Sequence, residues 1–335
     1  MTRRYAAIVS TGRYVPERRV DNDEMSRLVG ADVGPWLVEN VGIHARHFMA
    51  ADQRTSDLAV AAGRQALTRA GLDPDALDRI VLATDTPDHL SPATSAVVQH
   101  QLGARNAGCF DVNAACAGWV TALDAAARTI EADAQVNHTL VIGAYGMSRY
   151  LDFSDKKTAT LFADGAAAVL LSAADAPGYL AGRLAADGSF HDALGIYTGG
   201  TARPATPDNV STYGAPRVEF ARRFPPTYNV EQWSRLIRDL LGRAAFSLSD
   251  VKLFVFTQIN RRAIEATMAV LELPVARAHC TMAEWGYVGS ACIPMTLDDA
   301  VVRGQLEAGD HVVLCASGGG VTMAASLVRW TVVAT

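Results

Sequence analysis

In the run Phe110-Asp111-Val112-Asn113-Ala114-Ala115-Cys116-Ala117-Gly118-Trp119, one sulfur sits among small residues, between an apolar stretch and the helix-like segment 117–130. This order predicts a strand that turns into a helix, with Cys116 at the turn. The exposed amides and partial positive charge of a helix start favour thiolate over thiol there, which makes Cys116 the candidate nucleophile. The five cysteines, at 109, 116, 280, 292 and 315, are odd in number and show no C-x-x-C spacing. That pattern fits a reducing compartment better than a disulfide frame or a zinc site. His44 and His47 would share a face if their segment were helical. Arg46 between them, and the lack of thiol or carboxylate ligands nearby, speak against a metal. No metal site is expected.

These groups must be held by a larger scaffold. A chain of 335 residues, half of them apolar, exceeds the size at which a single core usually keeps growing, so two fused halves are expected. A net charge of −5 gives no general attraction to nucleic acid or to an anionic membrane. The first apolar run, before Thr11, is too brief for a secretory core, so a cytoplasmic protein is expected. The uncharged span between His311 and Arg329 is broken by Gly318, Gly319 and Gly320, and reads as a buried hairpin rather than a membrane helix.

Two stretches align without a gap at one offset. Arg69-Ala70-Gly71-Leu72 falls on Arg243-Ala244-Ala245-Phe246, Ile80-Val81-Leu82 on Phe254-Val255-Phe256, and Cys116 on Ser290, each 174 residues apart (254 − 80, 290 − 116). Leu123-Asp124-Ala125-Ala126 likewise falls on Leu297-Asp298-Asp299-Ala300. One ancestral unit used twice explains the register. Short apolar runs predict strands at 5–10, 79–84, 108–112, 139–143, 166–172, 253–257, 311–316 and 321–328. Helical periodicity predicts helices at 56–70, 93–102, 117–130, 230–245, 261–271 and 291–304. The alternation gives α/β layers. The expected organisation is a first half at 1–175 carrying the cysteine, a connector or cap at 176–228, irregular between Tyr197 and Tyr228, and a second half at 229–335.

Taken together, the chain resembles the beta-ketoacyl-ACP synthase III family of the thiolase superfamily over almost its whole length. The resemblance rests on Gly12-Arg13-Tyr14-Val15-Pro16-Glu17-Arg18, Thr55-Ser56-Asp57-Leu58-Ala59, Thr86-Pro87-Asp88, Pro92-Ala93-Thr94 and the Cys116 run. Phe162-Ala163-Asp164-Gly165-Ala166 and Gly318-Gly319-Gly320 with Leu327-Val328-Arg329-Trp330 complete it. It implies a five-layer αβαβα fold of two pseudo-duplicated halves, a homodimer, and an acyl group carried on Cys116 from acyl-CoA or acyl carrier protein (ACP). It also implies an oxyanion hole from the amides of Cys116 and Gly319, and no cofactor. By the same resemblance Trp36 stacks on the CoA adenine, and Asn40 and Lys156 stand where arginines hold that nucleotide. Asn260 lies in the substrate channel. Arg262 faces the acidic carrier protein, and Arg261, Arg222 and Arg223 enlarge its basic entrance. Ser91 stands where a bulky side chain reaches the partner's acyl pocket, with His89 beside it. His279 and Cys280 read as structural.

The chain departs from the family where the usual His and Asn complete the site. Val255-Phe256-Thr257-Gln258-Ile259-Asn260 has Thr257 in the His position, and Gly286-Tyr287-Val288-Gly289-Ser290 has Tyr287 in the Asn position. Both offer a hydroxyl donor but neither offers imidazole basicity. The favoured expectation is an acyltransferase that passes the Cys116-bound acyl group to a carrier thiol, an alcohol or an amine, in specialised metabolism. Decarboxylative condensation with Thr257 and Tyr287 as oxyanion donors is the second reading. A non-catalytic scaffold subunit, which would be expected to lose its nucleophile, is the third.

Overall fold

The computed structural model describes residues 4–332. Two five-stranded mixed sheets form its frame. The first runs in the order Tyr5–Tyr14, Asp164–Ala174, His138–Gly146, Arg79–Ala83, Gly108–Val112. The second runs Tyr179–Ala186, Thr322–Arg329, His311–Gly318, Leu253–Phe256, Ala278–His279, the same order of roles. In each sheet the strand before the crossover helix pairs in parallel with two neighbours, one of them an edge strand, and the two strands on the opposite side add on by antiparallel pairing. Such parallel pairs need helical crossovers, and these cover the faces.

The layers follow from where the apolar residues fall. The helix Thr55–Ala70 buries Leu58, Ala59, Ala62, Ala66 and Leu67 on one face and covers the outside of the first sheet. Tyr228–Ala244, with Trp233, Leu236, Ile237, Leu240 and Leu241, does the same for the second. Gly118–Ala132 and Cys292–Val302 lie between the sheets, and their Trp119, Leu123, Ile293, Met295 and Leu297 join both in one core. The result is αβαβα. The duplication is visible in backbone detail. Helices end at Ala70 and Ala244, each followed by a left-handed residue, Gly71 and Ala245. The short turns Ala115–Ala117 and Gly289–Ala291, and the helix starts Gly118 and Cys292, keep the same spacing of 174 (289 − 115, 292 − 118).

Several local expectations change. His44 precedes a short strand, Ala45–Phe48, in which His47 lies, so the two histidines share no helix face. His47 instead meets the Pro16 carbonyl at 2.6 Å. Among the described residues no three metal-ligating side chains gather. The segment expected as a connector or cap supplies the edge strand Tyr179–Ala186 to the second sheet. It also holds a small hairpin of Leu194–Ile196 with Val218–Phe220, and the helix Pro207–Tyr213, the last two inside the stretch expected to be irregular. Local sequence hid these elements because they are short or only half buried and pair with distant segments. The span 311–329 is an antiparallel hairpin. No helix among the described residues is long and apolar enough to cross a membrane.

The halves are pinned together by a buried carboxylate. Asp298, in Cys292–Val302, accepts from Thr11 Oγ1 at 2.6 Å, Arg13 at 2.6 Å and Arg69 at 2.5 Å, all contributed by the first half. Its duplicate Asp124 accepts from the Tyr179 hydroxyl at 2.7 Å. Removing one partner of a buried pair strands the others, at a cost of about 3–5 kcal/mol. Arg13 and Arg69 keep 22% and 38% of their side chains exposed, so the lower end applies. Asp298→Ala is expected to lower the unfolding free energy by about 3 kcal/mol, measured as a shifted urea midpoint at unchanged slope.

Candidate active site

The strand Gly108–Val112 ends in Asn113, whose Oδ1 accepts from the Ala115 N–H at 3.1 Å and starts the turn. Ala115 takes φ +46°, a left-handed conformation that costs a residue with a Cβ about 1 kcal/mol or more. Its duplicate Gly289, at φ +43°, adopts the same bend without that cost. The strained turn aims Cys116 inward, just ahead of the helix Gly118–Ala132. The hairpin tip closes over it. A Cβ on Gly318 would stand 2.7 Å from both the Cys116 nitrogen and the Ala114 oxygen, so only glycine lets the strand come this close. The Thr322 hydroxyl donates to Ala114 O at 2.7 Å and fastens the approach.

Cys116 lies where two cavities meet, and Gly319 and Leu194 border both. One, of about 260 Å³, is walled by Phe224, Pro225, Tyr228, Asn229, Ile259, Asn260 and Tyr287. The other, of about 250 Å³, is walled by Asp85, Asn113, Tyr145, Met147, Phe162, His191, Tyr197 and Val218. Tyr287 is buried, its main chain bonded to Leu161 and Ala163 and its ring 5.5 Å from that of Phe162. Its hydroxyl acts on the Cys116 sulfur as a hydrogen-bonding group that favours the thiolate, and both residues line the 260 Å³ cavity. Burial and the nearby sulfur raise the Tyr287 hydroxyl well above its ordinary value, so it stays a protonated donor.

Thr257 is differently placed. Its Oγ1 accepts from the Ser317 N–H at 2.9 Å and lies 3.5 Å from the Ser317 carbonyl. It borders neither cavity.

The electrostatics oppose the sequence expectation for the sulfur. The helix start is present, but burial, followed by the negative charge of Asp85, pushes the Cys116 thiol well up. The Tyr287 hydrogen bond and the Cys116 amide pull only partly in the other direction. The resting form is the thiol.

Of the remaining expected residues, Asn260 alone lines the 260 Å³ cavity. Asn260 caps the helix Arg261–Val270, with its Oδ1 3.3 Å from the Ala263 nitrogen, and lines the cavity. Arg261 pairs with Glu265 at 2.8 Å and Arg262 with Glu39 at 3.6 Å. Trp36 is 56% exposed on Gly34–Asn40, whose last residue, Asn40, donates to Trp36 O at 3.1 Å. Lys156 is exposed at the start of Lys156–Ala159. Arg222 is held by Asp192 at 2.6 Å, and Arg223 is exposed. Ser91 and His89 lie exposed on the loop 84–92, away from either cavity of this chain. His279 Nε2 sits 2.9 Å from Asp299.

Sequence reading gave no role to Asp85, Tyr145, Phe162, His191, Leu194 or Tyr197. Asp85 could have been flagged as an acid directly after an apolar strand. The others come from distant segments with no local signal.

Similarity to known proteins agrees with this geometry. The profile of the 3-oxoacyl-[acyl-carrier-protein (ACP)] synthase III family matches residues 110–188, and that of its C-terminal part matches residues 241–330. The beta-ketoacyl-[acyl-carrier-protein] synthase III of Roseiflexus castenholzii is 38% identical over 328 residues, covering 98% of each chain. An acetoacetyl CoA synthase, NphT7, of Streptomyces sp. is 39% identical over 329 residues, covering 96% of this chain and 98% of that one. Among solved structures, the 3-oxoacyl-[acyl-carrier-protein] synthase III of Aquifex aeolicus superposes with a TM-score of 0.87 at 30% identity, covering 97% of this chain and 100% of that one. The priming beta-ketosynthase of the R1128 polyketide pathway gives 0.88 at 28%, covering 98% and 97%. An α/β protein of this layering with a cysteine at the buried helix start is a thiolase-like acyl-transferring or condensing enzyme. The chain belongs to the 3-oxoacyl-ACP synthase III family.

Burial raises the Asp85 carboxyl from 3.8 to about 6. The native state therefore binds this proton more tightly than the unfolded chain does. The resulting stabilisation is complete below about pH 4 and is lost as pH rises through about 6. Asp85→Asn, uncharged throughout, is expected to exceed the wild type in stability above pH 7 by on the order of 2 kcal/mol. Urea denaturation at acid and neutral pH should show that gap narrowing towards acid.

Proposed function

We propose that this enzyme is an acyltransferase that carries an acyl group on Cys116 from acyl-CoA or acyl-ACP to a carrier thiol, an alcohol or an amine. The observation that carries the reading is the placement of Thr257: it borders neither cavity, whereas Tyr287 shares the 260 Å³ cavity with Cys116, so only Tyr287 remains of the two groups that would support an enolate. Losing one oxyanion donor typically costs on the order of a hundredfold or more in rate. Simple acyl transfer makes no enolate.

In the first half-reaction the Cys116 thiol loses its proton and Sγ attacks the thioester carbonyl. The amides of Cys116 and Gly319 receive the charge on the oxygen. The donor C–S bond breaks, and the departing pantetheine sulfur takes up a proton. In the second half-reaction the acceptor attacks the acyl-Cys116 carbonyl and the Cys116 sulfur leaves, regaining a proton. Tyr287 donates to that sulfur in both directions. The 260 Å³ cavity takes the pantetheine arm, because Asn260 lines it and caps the helix Arg261–Val270, whose Arg261 N–H donates to Val41 O at 3.0 Å and so sets the end of the segment bearing Trp36 and Asn40 against that helix start. The acyl group then occupies the 250 Å³ cavity.

We assign the enzyme to the cytoplasm, to specialised metabolism and to a homodimer. The dimer reading is supported by the free edge of Gly108–Val112, with Phe110 41% exposed, and by the protruding loop bearing Leu90. Decarboxylative condensation remains the second reading, favoured by the synthase activities named for the similar proteins.

Incubation with acyl-CoA and acyl-ACP donors is expected to add one acyl mass to Cys116 and none to Cys116→Ala, with acylation slowed about tenfold in Tyr287→Phe. Carbon dioxide release from malonyl-ACP as fast as acyl transfer, and abolished in Thr257→Val, would overturn transfer in favour of condensation. Absence of an adduct with every donor would favour the scaffold.

A further inference from the structure

The wall of the 250 Å³ cavity is polar in a way an all-carbon acyl chain does not require. Asp85 lines it, and no protein group reaches the carboxylate Oδ1, which is itself buried. Tyr197 lines it as well, and its buried hydroxyl also lacks a protein partner. A buried polar atom without a hydrogen bond costs about 1–3 kcal/mol, and more when charged.

The main chain on both sides of Asp85 is held in place. On one side the Thr84 N–H donates to Val112 O at 3.2 Å. On the other, Thr86 Oγ1 accepts from the Gly146 N–H at 2.8 Å, and Thr86 O accepts from the Thr55 hydroxyl at 2.7 Å. Further along the loop, Asp88 Oδ1 accepts from the Ser56 N–H at 3.0 Å. The loop itself needs no acid here. At the equivalent place in the second copy, 174 residues on (259 − 85), stands the apolar Ile259, which lines the other cavity. One carboxylate oxygen, Oδ1, is thus left without a protein partner in the chamber that holds the reactive sulfur.

We propose that Asp85, with Tyr197 on the same cavity wall, makes this cavity a receptor for a short acyl group whose far end carries a hydrogen-bond donor, a hydroxyl or an ammonium. A carboxylate is an acceptor only, so such a donor supplies the missing partner. An alkyl end of the same size leaves it unmade. A malonyl group, with its own carboxylate, would meet repulsion. Burial raises the Asp85 carboxyl only to about 6, so it is mostly ionised at neutral pH and favours a cation or a strong donor. The volume admits a group somewhat larger than a benzene ring, for which about 150 Å³ suffices.

This inference rests on the proposed assignment of the acyl group to this cavity, and its test is independent of turnover. Cys116→Ala protein is titrated calorimetrically with three pantetheine thioesters of equal heavy-atom count, butyryl, 3-hydroxypropionyl and 3-aminopropionyl. At least one donor-bearing ligand is expected to bind about tenfold more tightly than butyryl, and Asp85→Leu in the same background is expected to erase or invert that preference. Comparing ligands on one protein keeps the test valid even if Asp85→Leu folds poorly. Equal or tighter binding of butyryl to the protein that retains Asp85 would overturn the proposal. Failure of wild-type Cys116 to acquire any acyl mass would instead defeat the acyl-enzyme reading and leave this binding result standing.

Discussion

Two short turns, Ala115–Ala117 and Gly289–Ala291, meet between the sheets, and their contact sets the terms for everything else in the molecule. Each launches a central helix, and each must bring its backbone close to the opposite half. Gly289 makes room for the Tyr145 ring, which would lie 2.3 Å from a Cβ there. The Ser290 hydroxyl donates to Ala144 O at 2.9 Å, which binds the second turn to a strand of the first sheet. Cys116 is consequently fixed at the centre of the protein, reachable only through the cavities that converge on it.

That position sets the chemistry. Cys116 and Tyr287 are buried, so amide dipoles and hydroxyl donors act strongly there, but charge on the sulfur becomes costly. The nearby Asp85 raises that cost. The same burial explains why Tyr287 keeps its proton. In the proposed transfer the thiol is neutral at rest and ionises as it reacts, with the oxygen charge met by amides.

The fold was legible in the sequence wherever a local pattern and the global packing agree. The strand ranges 108–112 and 253–257, the helix ends at Ala70 and Ala244, and the Cys116 turn follow from apolar runs, caps and the repeat. The repeat is not uniform. Ala278 pairs with Phe254 as Cys109 pairs with Ile80, a spacing of 169 (278 − 109) rather than 174, so insertions and deletions cancel between the matched segments. The strand Tyr179–Ala186 escaped notice because its residues are only half buried and its pairing partner lies more than a hundred positions away.

Residue types and order alone determined the layered α/β class, the duplicated plan, the candidate nucleophile and the two substitutions at Thr257 and Tyr287, since each is written in adjacent residues or in one constant spacing. Tertiary structure alone decided that Thr257 turns to the Ser317 peptide while Tyr287 shares a cavity with the sulfur. It also decided that burial outweighs the helix start at Cys116, and that Asp85 Oδ1 stands unpartnered in the cavity beside it. Desolvation and hydrogen-bond satisfaction depend on what surrounds a group from every side, and those neighbours come from parts of the chain far apart in sequence.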